Sequence, residues 1–160
     1  MNELQKRKQN RLCEFDYSSP NAYFITICTQ NRRNLFWDNV GAVIGRPEDV
    51  QFSILGKIVK KAIQDISVHY PSVSVEKYVV MPNHIHMLLQ INTDEGGRPM
   101  TAPTIQMVVN QMKGAVTKQA GTLVWQKGFY DHIVRGREDF LEIWNYIEGN
   151  PSKWAEDMQG

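Results

Sequence analysis

The stretch that decides the fold is Tyr78-Val-Val-Met-Pro-Asn-His-Ile-His-Met-Leu-Leu-Gln-Ile91. Its composition predicts two short apolar strands separated by a turn at Met81-Pro82-Asn83. Successive side chains of a strand point to opposite faces, so the second strand has one mixed face and one wholly apolar face. The mixed face carries His84, His86, Leu88 and Gln90, and the apolar face carries Ile85, Met87, Leu89 and Ile91.

We expect the apolar face to pack against a core and the histidine face to lie outside it. Two imidazoles side by side, His84 and His86, can bind one metal ion or simply lie half-exposed. The uninterrupted apolar face behind the His-x-His pair favours metal ligation. The histidine pair alone does not identify a reaction, because two ligands leave a metal under-coordinated and further groups are needed.

Length and composition bound the classes of protein. The chain has 160 residues, 42% of them hydrophobic and 22% charged, with a net charge of +1. This predicts a single domain over residues 1–160 with a sizeable core. No apolar run approaches the ~20 residues of a membrane helix, and the start lacks a signal-peptide pattern. Two cysteines, Cys13 and Cys28, are too few for a disulfide framework. We therefore expect a cytoplasmic protein without membrane contact.

Basic residues are local rather than general, because a net charge of +1 does not indicate a nucleic-acid partner by itself. Residues 1–20 form a basic arm that is either a frayed terminus or a grip for phosphates. A turn after the first strand carries two adjacent arginines, and the second predicted helix carries two lysines off its apolar stripe. The candidate phosphate contacts are Lys6, Arg7, Lys8, Arg11, Arg32, Arg33, Lys113 and Lys118.

The order of predicted elements is strand, helix, strand, strand, helix, strand, and then a C-terminal helix. Alternation indicates the strands, and apolar residues at three- and four-residue steps indicate the helices. This order predicts an α+β fold of the ferredoxin-like (RRM-like) split βαβ type, with an antiparallel sheet and its two core helices on one face. We expect the histidine face to stay open. The last helix should run from Arg137 to Asn150 and end at Pro151.

That last helix offers candidates for the missing groups. Tyr146 and Asn150 lie four residues apart and share a face. Tyr146 falls on the shoulder of the apolar stripe, a position that suits a side chain pointing into a cleft between helix and sheet. From the residues alone, a half-buried boundary tyrosine and an asparagine that caps the helix before Pro151 are the favoured explanation, because five other tyrosines compete.

The chain resembles the single-tyrosine transposases with a His-hydrophobic-His motif (HUH), specifically the REP-associated tyrosine transposases. The resemblance is carried by segments spread over residues 22–151, nearly the whole chain. They are YFITICTQNRR, YVVMPNHIHMLLQ, WQKGFYDHIVR and IWNYIEGNP, in that order.

The resemblance implies a catalytic core over residues 21–151. It implies that His84, His86 and Asn150 bind a divalent metal, Mg²⁺ or Mn²⁺, and that Tyr146 is the nucleophile. Gln126 and His132 match elements that we interpret as structural or DNA-contacting. The implied reaction cleaves and rejoins single-stranded DNA through a 5′-phosphotyrosine, and the implied partner is single-stranded DNA with a REP-like hairpin. The protein would be associated with the nucleoid, as a monomer or homodimer.

Two alternatives stay open. The same fold could serve as a non-catalytic module that binds DNA or RNA strands or hairpins by stacking and phosphate contacts. A metal-dependent hydrolase that uses a bound water is the other. The first would need aromatic side chains on the open face of the sheet, where this chain has histidines. The second would not need the tyrosine.

Overall fold

The computed structural model describes residues 21–40, 49–92 and 103–159, with side chains through Pro151. Four strands and four α-helices follow one another within these ranges. The strands are β1 (Ala22–Cys28), β2 (Val73–Val80), β3 (His84–Ile91) and β4 (Tyr130–Ile133); the helices are α1 (Ile54–Gln64), α2 (Ile66–His69), α3 (Ile105–Ala120) and α4 (Gly136–Gln159). The predicted basic arm over residues 1–20, and with it Lys6, Arg7, Lys8 and Arg11, lies outside the described residues.

The strands form one antiparallel sheet in the order β2-β3-β1-β4. This is the strand order of the ferredoxin-like arrangement, so the predicted fold class is confirmed. β3 is central and pairs with β1 from Ala22↔Gln90 to Cys28↔His84. β1 in turn pairs with β4, where Thr26 lies opposite Tyr130 and Phe24 opposite His132. Paired residues of neighbouring strands share a face, so the register alone places these side chains on the histidine face.

The main core lies on the apolar face of β3. Ile85, Met87 and Leu89 are each fully buried there, together with Val59 of α1 and Val108 of α3. Both helices begin at a hydroxyl cap: the Ser53 side chain accepts a hydrogen bond from the Gly56 N–H, and Thr104 accepts one from the Met107 N–H. These caps satisfy N–H groups that would otherwise have no partner.

The histidine face is not open as predicted, because α4 lies across it. A second apolar cluster joins the sheet to this helix and comprises Ala22, Leu88, Val134, Ile143 and Ile147. The apolar stripe of α4 predicts that the helix has a buried side, but Leu88 is the only large apolar residue among the four on the histidine face of β3. An antiparallel sheet with one face bare would leave Leu88 and its neighbours in water, and α4 removes them from it.

The prediction that Pro151 ends the last helix is wrong. α4 continues from Gly136 to Gln159 with Pro151 inside it. A proline within a helix removes one backbone hydrogen bond and crowds the preceding turn, at a cost of about 3 kcal/mol. Pro151 is itself buried, in a cleft that it lines with Val79 and Val80 of β2, and that burial offsets part of the cost. No helix within the described ranges has the length and apolar character required to cross a membrane.

Candidate active site

The two histidines lie next to each other on β3, one near the rim of the sheet face and one beneath α4. Their ring centroids are 4.7 Å apart at an interplanar angle of 72°. His86 is only 4% exposed, whereas His84, at the start of the strand, is half-buried. The predicted pairing of the two imidazoles on one face is therefore correct, but His86 is packed much more deeply than an open face would allow.

Each imidazole has a hydrogen-bond partner at Nδ1. His84 Nδ1 lies 2.8 Å from Asn83 Oδ1, and because an amide oxygen only accepts, Nδ1–H is the donor. His86 Nδ1 lies 2.9 Å from Thr26 Oγ1, the hydroxyl directly opposite it on β1. With its proton on Nδ1, His84 has a lone pair on Nε2, whereas the Thr26 hydroxyl can either donate to His86 Nδ1 or accept from it. Partners of this kind fix the tautomer and orientation of metal-binding histidines.

Electrostatics keep both rings in the neutral form that metals require. Burial, and then the positive charge of Arg32, lowers the pKa of His84 to about 4. Burial, and then the neighbouring His84, lowers the pKa of His86 to about 3. Both rings are therefore neutral near neutral pH, so each carries a single proton and one nitrogen lone pair.

Tyr146 packs against His86, the deeper ring of the histidine pair. Its ring centroid is 5.3 Å from that of His86 and 6.2 Å from that of Phe24, both in edge-to-face geometry. Phe24 in turn stacks on His86 at 5.2 Å. Tyr146 is nevertheless 50% exposed, so one side of the phenol packs on the sheet and the other is accessible. The ring therefore lies at the boundary between α4 and the sheet.

Two buried polar atoms near this cluster lack a hydrogen-bond partner among the described residues: His86 Nε2 and Asn150 Nδ2. Buried polar groups are normally satisfied, so an unpaired one calls for an explanation. A ring nitrogen with a lone pair can bind an ion, whereas the amide nitrogen of Asn150 is a donor and requires an acceptor. Asn150 follows Tyr146 by one turn of α4, about 6 Å along the helix axis, and is 8% exposed. The described ranges contain no group of three or more His, Cys, Asp and Glu side chains arranged to hold a metal.

Among the predicted DNA contacts that lie within the described residues, Arg32 is close enough to His84 for its charge to lower the pKa of that ring. It belongs to a one-turn 3₁₀ segment, Gln30–Arg32, and donates from Nη1 to Cys28 Sγ at 3.1 Å. Cys28 is the residue opposite His84. Arg33 follows and is exposed, and Lys118 is exposed in the last turn of α3.

The remaining predicted contacts make structural bonds. Lys113 Nζ donates to the carbonyl oxygens of Gln126 at 3.0 Å and Gly128 at 2.8 Å, so this lysine holds the loop before β4 against α3. His132 Nε2 lies 2.9 Å from Asp139 Oδ2 and thereby ties β4 to the first turn of α4. Gln126 itself is exposed.

Three residues of the site were missed by sequence reasoning: Thr26, Phe24 and Asn83. Asn83 adjoins His84 in the sequence, and that adjacency was a usable signal. Thr26 and Phe24 precede His86 in the sequence by 60 and 62 residues, respectively. Only the pairing register of β1 with β3, which the sequence does not state, brings them to it.

Comparisons with known proteins find similar sequences and structures, whereas no protein-family model matches the chain. An uncharacterized protein of Haemophilus influenzae is 32% identical over 97% of this chain and 93% of its own length. A second protein of that organism, described as a "Putative REP-associated tyrosine transposase", is 23% identical over 86% of this chain and 74% of its own. The solved structure of a REP-associated tyrosine transposase bound to a REP hairpin shares the fold, with a TM-score of 0.66, 20% identity and coverage of 91% of this chain and 76% of that one.

Proposed function

We propose that the chain is a REP-associated tyrosine transposase, as its likeness to two such proteins supports, and that it cleaves and rejoins single-stranded DNA through a covalent bond to Tyr146. The observation that carries the proposal is the arrangement of Tyr146 over His86, with the ring centroids 5.3 Å apart. An accessible phenol beside two neutral imidazoles combines a nucleophile with a site for an electrophilic ion.

The residues present fit a divalent metal. His84 and His86 would hold it through Nε2, and Asn150 would complete the protein ligands with its amide oxygen. The support is the buried, unpartnered Nε2 of His86 and the Nδ1 partners of both rings. Such an ion supplies positive charge that polarises a phosphodiester. Neutral ligands leave that charge undiminished, and we expect Mg²⁺ in the cell and activity with Mn²⁺ as well.

The phenol of Tyr146 performs the bond exchange. Its oxygen loses its proton and attacks the phosphorus, so that the new O–P bond forms and the P–O3′ bond breaks. The departing 3′ oxygen takes up a proton and becomes a hydroxyl. The product is a 5′-phosphotyrosine and a free 3′ end. A phenolate leaves more readily than an alkoxide, so a 3′-hydroxyl can reverse the exchange and rejoin the strand without a nucleotide cofactor.

The surroundings of Tyr146 suit a single-stranded substrate. Arg32 lies beside His84, where its charge can contact a phosphate next to the one that reacts, and Arg33 extends the positive charge along the same turn. We propose single-stranded DNA next to a hairpin as the substrate, because a relative with the same fold is bound to a REP hairpin. Such a substrate places the protein in the cytoplasm at the nucleoid.

The test is cleavage of a labelled single-stranded oligonucleotide that carries a REP-like hairpin, with Mn²⁺ present. We expect wild-type protein to give a shortened product and a protein–DNA adduct that survives denaturation. Tyr146→Phe should abolish both, because it removes the attacking oxygen and keeps the ring that packs on His86. Tyr130→Phe is the matched control, since Tyr130 lies on the same face, opposite Thr26.

Two outcomes would contradict the proposal. Cleavage by Tyr146→Phe without an adduct would identify a nuclease that uses water. Binding of the oligonucleotide by wild-type protein, with neither product nor adduct in Mg²⁺ or Mn²⁺, would identify a non-catalytic binding module.

A further inference from the structure

A cleft of about 910 Å³ opens at the end of the sheet where β1 finishes. Its lining comes from the Gln30–Arg32 turn, from α3 and from the loop that precedes β4. Four amide side chains contribute to it, together with the exposed side chain of Leu123: Gln30, Asn31, Asn110 and Gln126. The volume lies within the range of small-molecule sites, roughly 300–1,000 Å³.

The cleft and the histidine pair flank the same short turn. Gln30 and Asn31 line the cleft. Arg32 lies on the other side of the turn, where it contacts Cys28 and its charge acts on His84. Gln30 follows Cys28, the residue opposite His84, by two positions, which is roughly 7 Å of extended chain. A strand that passes Arg32 on leaving the histidine pair therefore arrives at the cleft.

The turn is fixed in this position by its backbone. The Gln30 N–H donates to the Val124 carbonyl at 2.9 Å, and the Thr29 hydroxyl donates to the Arg33 carbonyl at 2.8 Å. Asn31 and Arg32 have φ of 59° and 55°. Positive φ is uncommon outside glycine, and for an arginine especially so. The bonds hold a conformation that sends the side chains of two consecutive residues to different sites.

The chemistry of the lining suits a neutral, planar, hydrogen-bonding group. An amide offers a donor and an acceptor side by side, which is how asparagine and glutamine recognise the edge of a base. Within the described residues, the charged side chains that line the cleft are those of Lys113 and Lys127. Lys113 donates two hydrogen bonds to backbone carbonyls of the loop before β4. These bonds make the wall of the cleft between that loop and α3 rigid.

Trp125 adds an independent observation. It lines the cleft, is 4% exposed, and its indole Nε1 is buried without a hydrogen-bond partner among the described residues. A buried indole N–H usually has an acceptor. The ring packs against Phe36, with centroids 5.5 Å apart, and so forms a fixed aromatic wall of the cleft.

We propose that this cleft binds an unpaired base of the single-stranded DNA and reads it through Asn110 and Gln126. The inference rests on the proposed function. It extends that function, because it assigns the preference for a particular base to a cleft that is separate from Tyr146 and the histidine pair. The base enters over Leu123, and its phosphate lies toward the Arg32 side of the turn.

The test measures binding without chemistry, in full-length Tyr146→Phe protein with EDTA. The probes are fluorescein-labelled 12-mers of dT, dA and dC and a 12-mer of the same length made entirely of abasic sites. We expect at least one base-bearing 12-mer to bind more tightly than the abasic one. Asn110→Ala and Gln126→Ala should each reduce that ratio about fivefold or more, the order expected for loss of one amide–base contact, and should leave the affinity for the abasic 12-mer unchanged.

Gln119→Ala is the matched control, because it removes an exposed amide of α3 that does not line the cleft. It should leave the ratio unchanged. An unchanged ratio in both Asn110→Ala and Gln126→Ala, or a wild-type ratio of one for every base, would overturn the inference. The proposed function fails separately, through absence of the Tyr146 adduct, since this assay needs neither metal nor phenol.

Discussion

On one face of β3, Ile85, Met87 and Leu89 are fully buried beneath two helices; on the other, Leu88 and His86 are nearly as deeply buried beneath α4. The first set makes apolar contacts only. The second set includes a ring whose Nε2 is buried without a described partner. The two faces of β3 are therefore similarly buried but differ in chemistry. The unpaired nitrogen of His86, rather than exposure to solvent, distinguishes the candidate site from the apolar core.

The largest expected effect on stability separates the two faces at neighbouring positions. Ile85→Ala should lower the free energy of unfolding by about 2 to 5 kcal/mol, because it leaves a cavity in the main core. His84→Ala should lower it by about 1 kcal/mol or less, since it removes a half-buried ring with one described hydrogen bond to Asn83. Urea denaturation followed by circular dichroism measures both. Equal losses would mean that the histidine face is as much a core as the apolar face.

A smaller loss is expected for the deeper histidine. His86→Ala removes the ring that packs against Phe24 and Tyr146, and should lower the free energy of unfolding by about 1 to 3 kcal/mol. This variant should still fold but should lose cleavage. Thr26→Val is the control for loss of the hydrogen bond alone, because it removes the partner of His86 Nδ1 and keeps the volume of the residue 26 side chain. A His86→Ala protein as stable as wild type would contradict the packing of this ring beneath α4.

Charge should also distinguish the faces. Replacing Arg32 and Arg33 with glutamine should flatten the slope of log affinity for single-stranded DNA against log salt concentration by about 1.4, at about 0.7 per phosphate contact. The same replacement of Lys57 and Lys61 on α1, which packs against the other face of the sheet, should leave the slope unchanged. Anisotropy titrations between low and high salt give both slopes. A larger change of slope for the lysine variant would contradict the account, because it would indicate that the DNA binds the helix-covered face that α1 packs against.

The smallest effect concerns the tie that holds α4 over the histidine face. Partial burial raises the pKa of Asp139, but the Arg135 backbone N–H and the His132 side chain outweigh it, so the pKa lies below its ordinary value. A carboxyl with a depressed pKa stabilises the fold above its unfolded pKa of ~3.9, and that contribution is lost as the pH falls below this value.

Asp139→Asn should accordingly be less stable than wild type at pH 6, by about 1 kcal/mol or less because the pair is partly solvated. The difference should shrink as the pH falls toward 3. Urea denaturation at several pH values measures it, with the exposed Glu138→Gln as the control. A difference that grows in acid would contradict the sign of the pKa shift.

Much of this arrangement could be predicted from the sequence, because strand alternation is a local property. The two faces of β3, the element order and the shoulder position of Tyr146 all follow from spacing. The position of α4 could not be predicted, since its stripe of Phe140, Ile143 and Ile147 indicates a buried side without saying what covers it. Pro151 gave the wrong helix end because local propensity ignores the burial of its ring.

The central claim is that the phenol on α4, and no other, reacts over the histidine pair. Tyr130 is the sharpest rival, because it lies on the same face of the sheet one strand beyond Thr26. The decisive measurement digests the covalent protein–DNA product and identifies the DNA-linked peptide by mass spectrometry. We predict that the attachment maps to Tyr146. Attachment at Tyr130, or at any residue outside α4, would contradict the account.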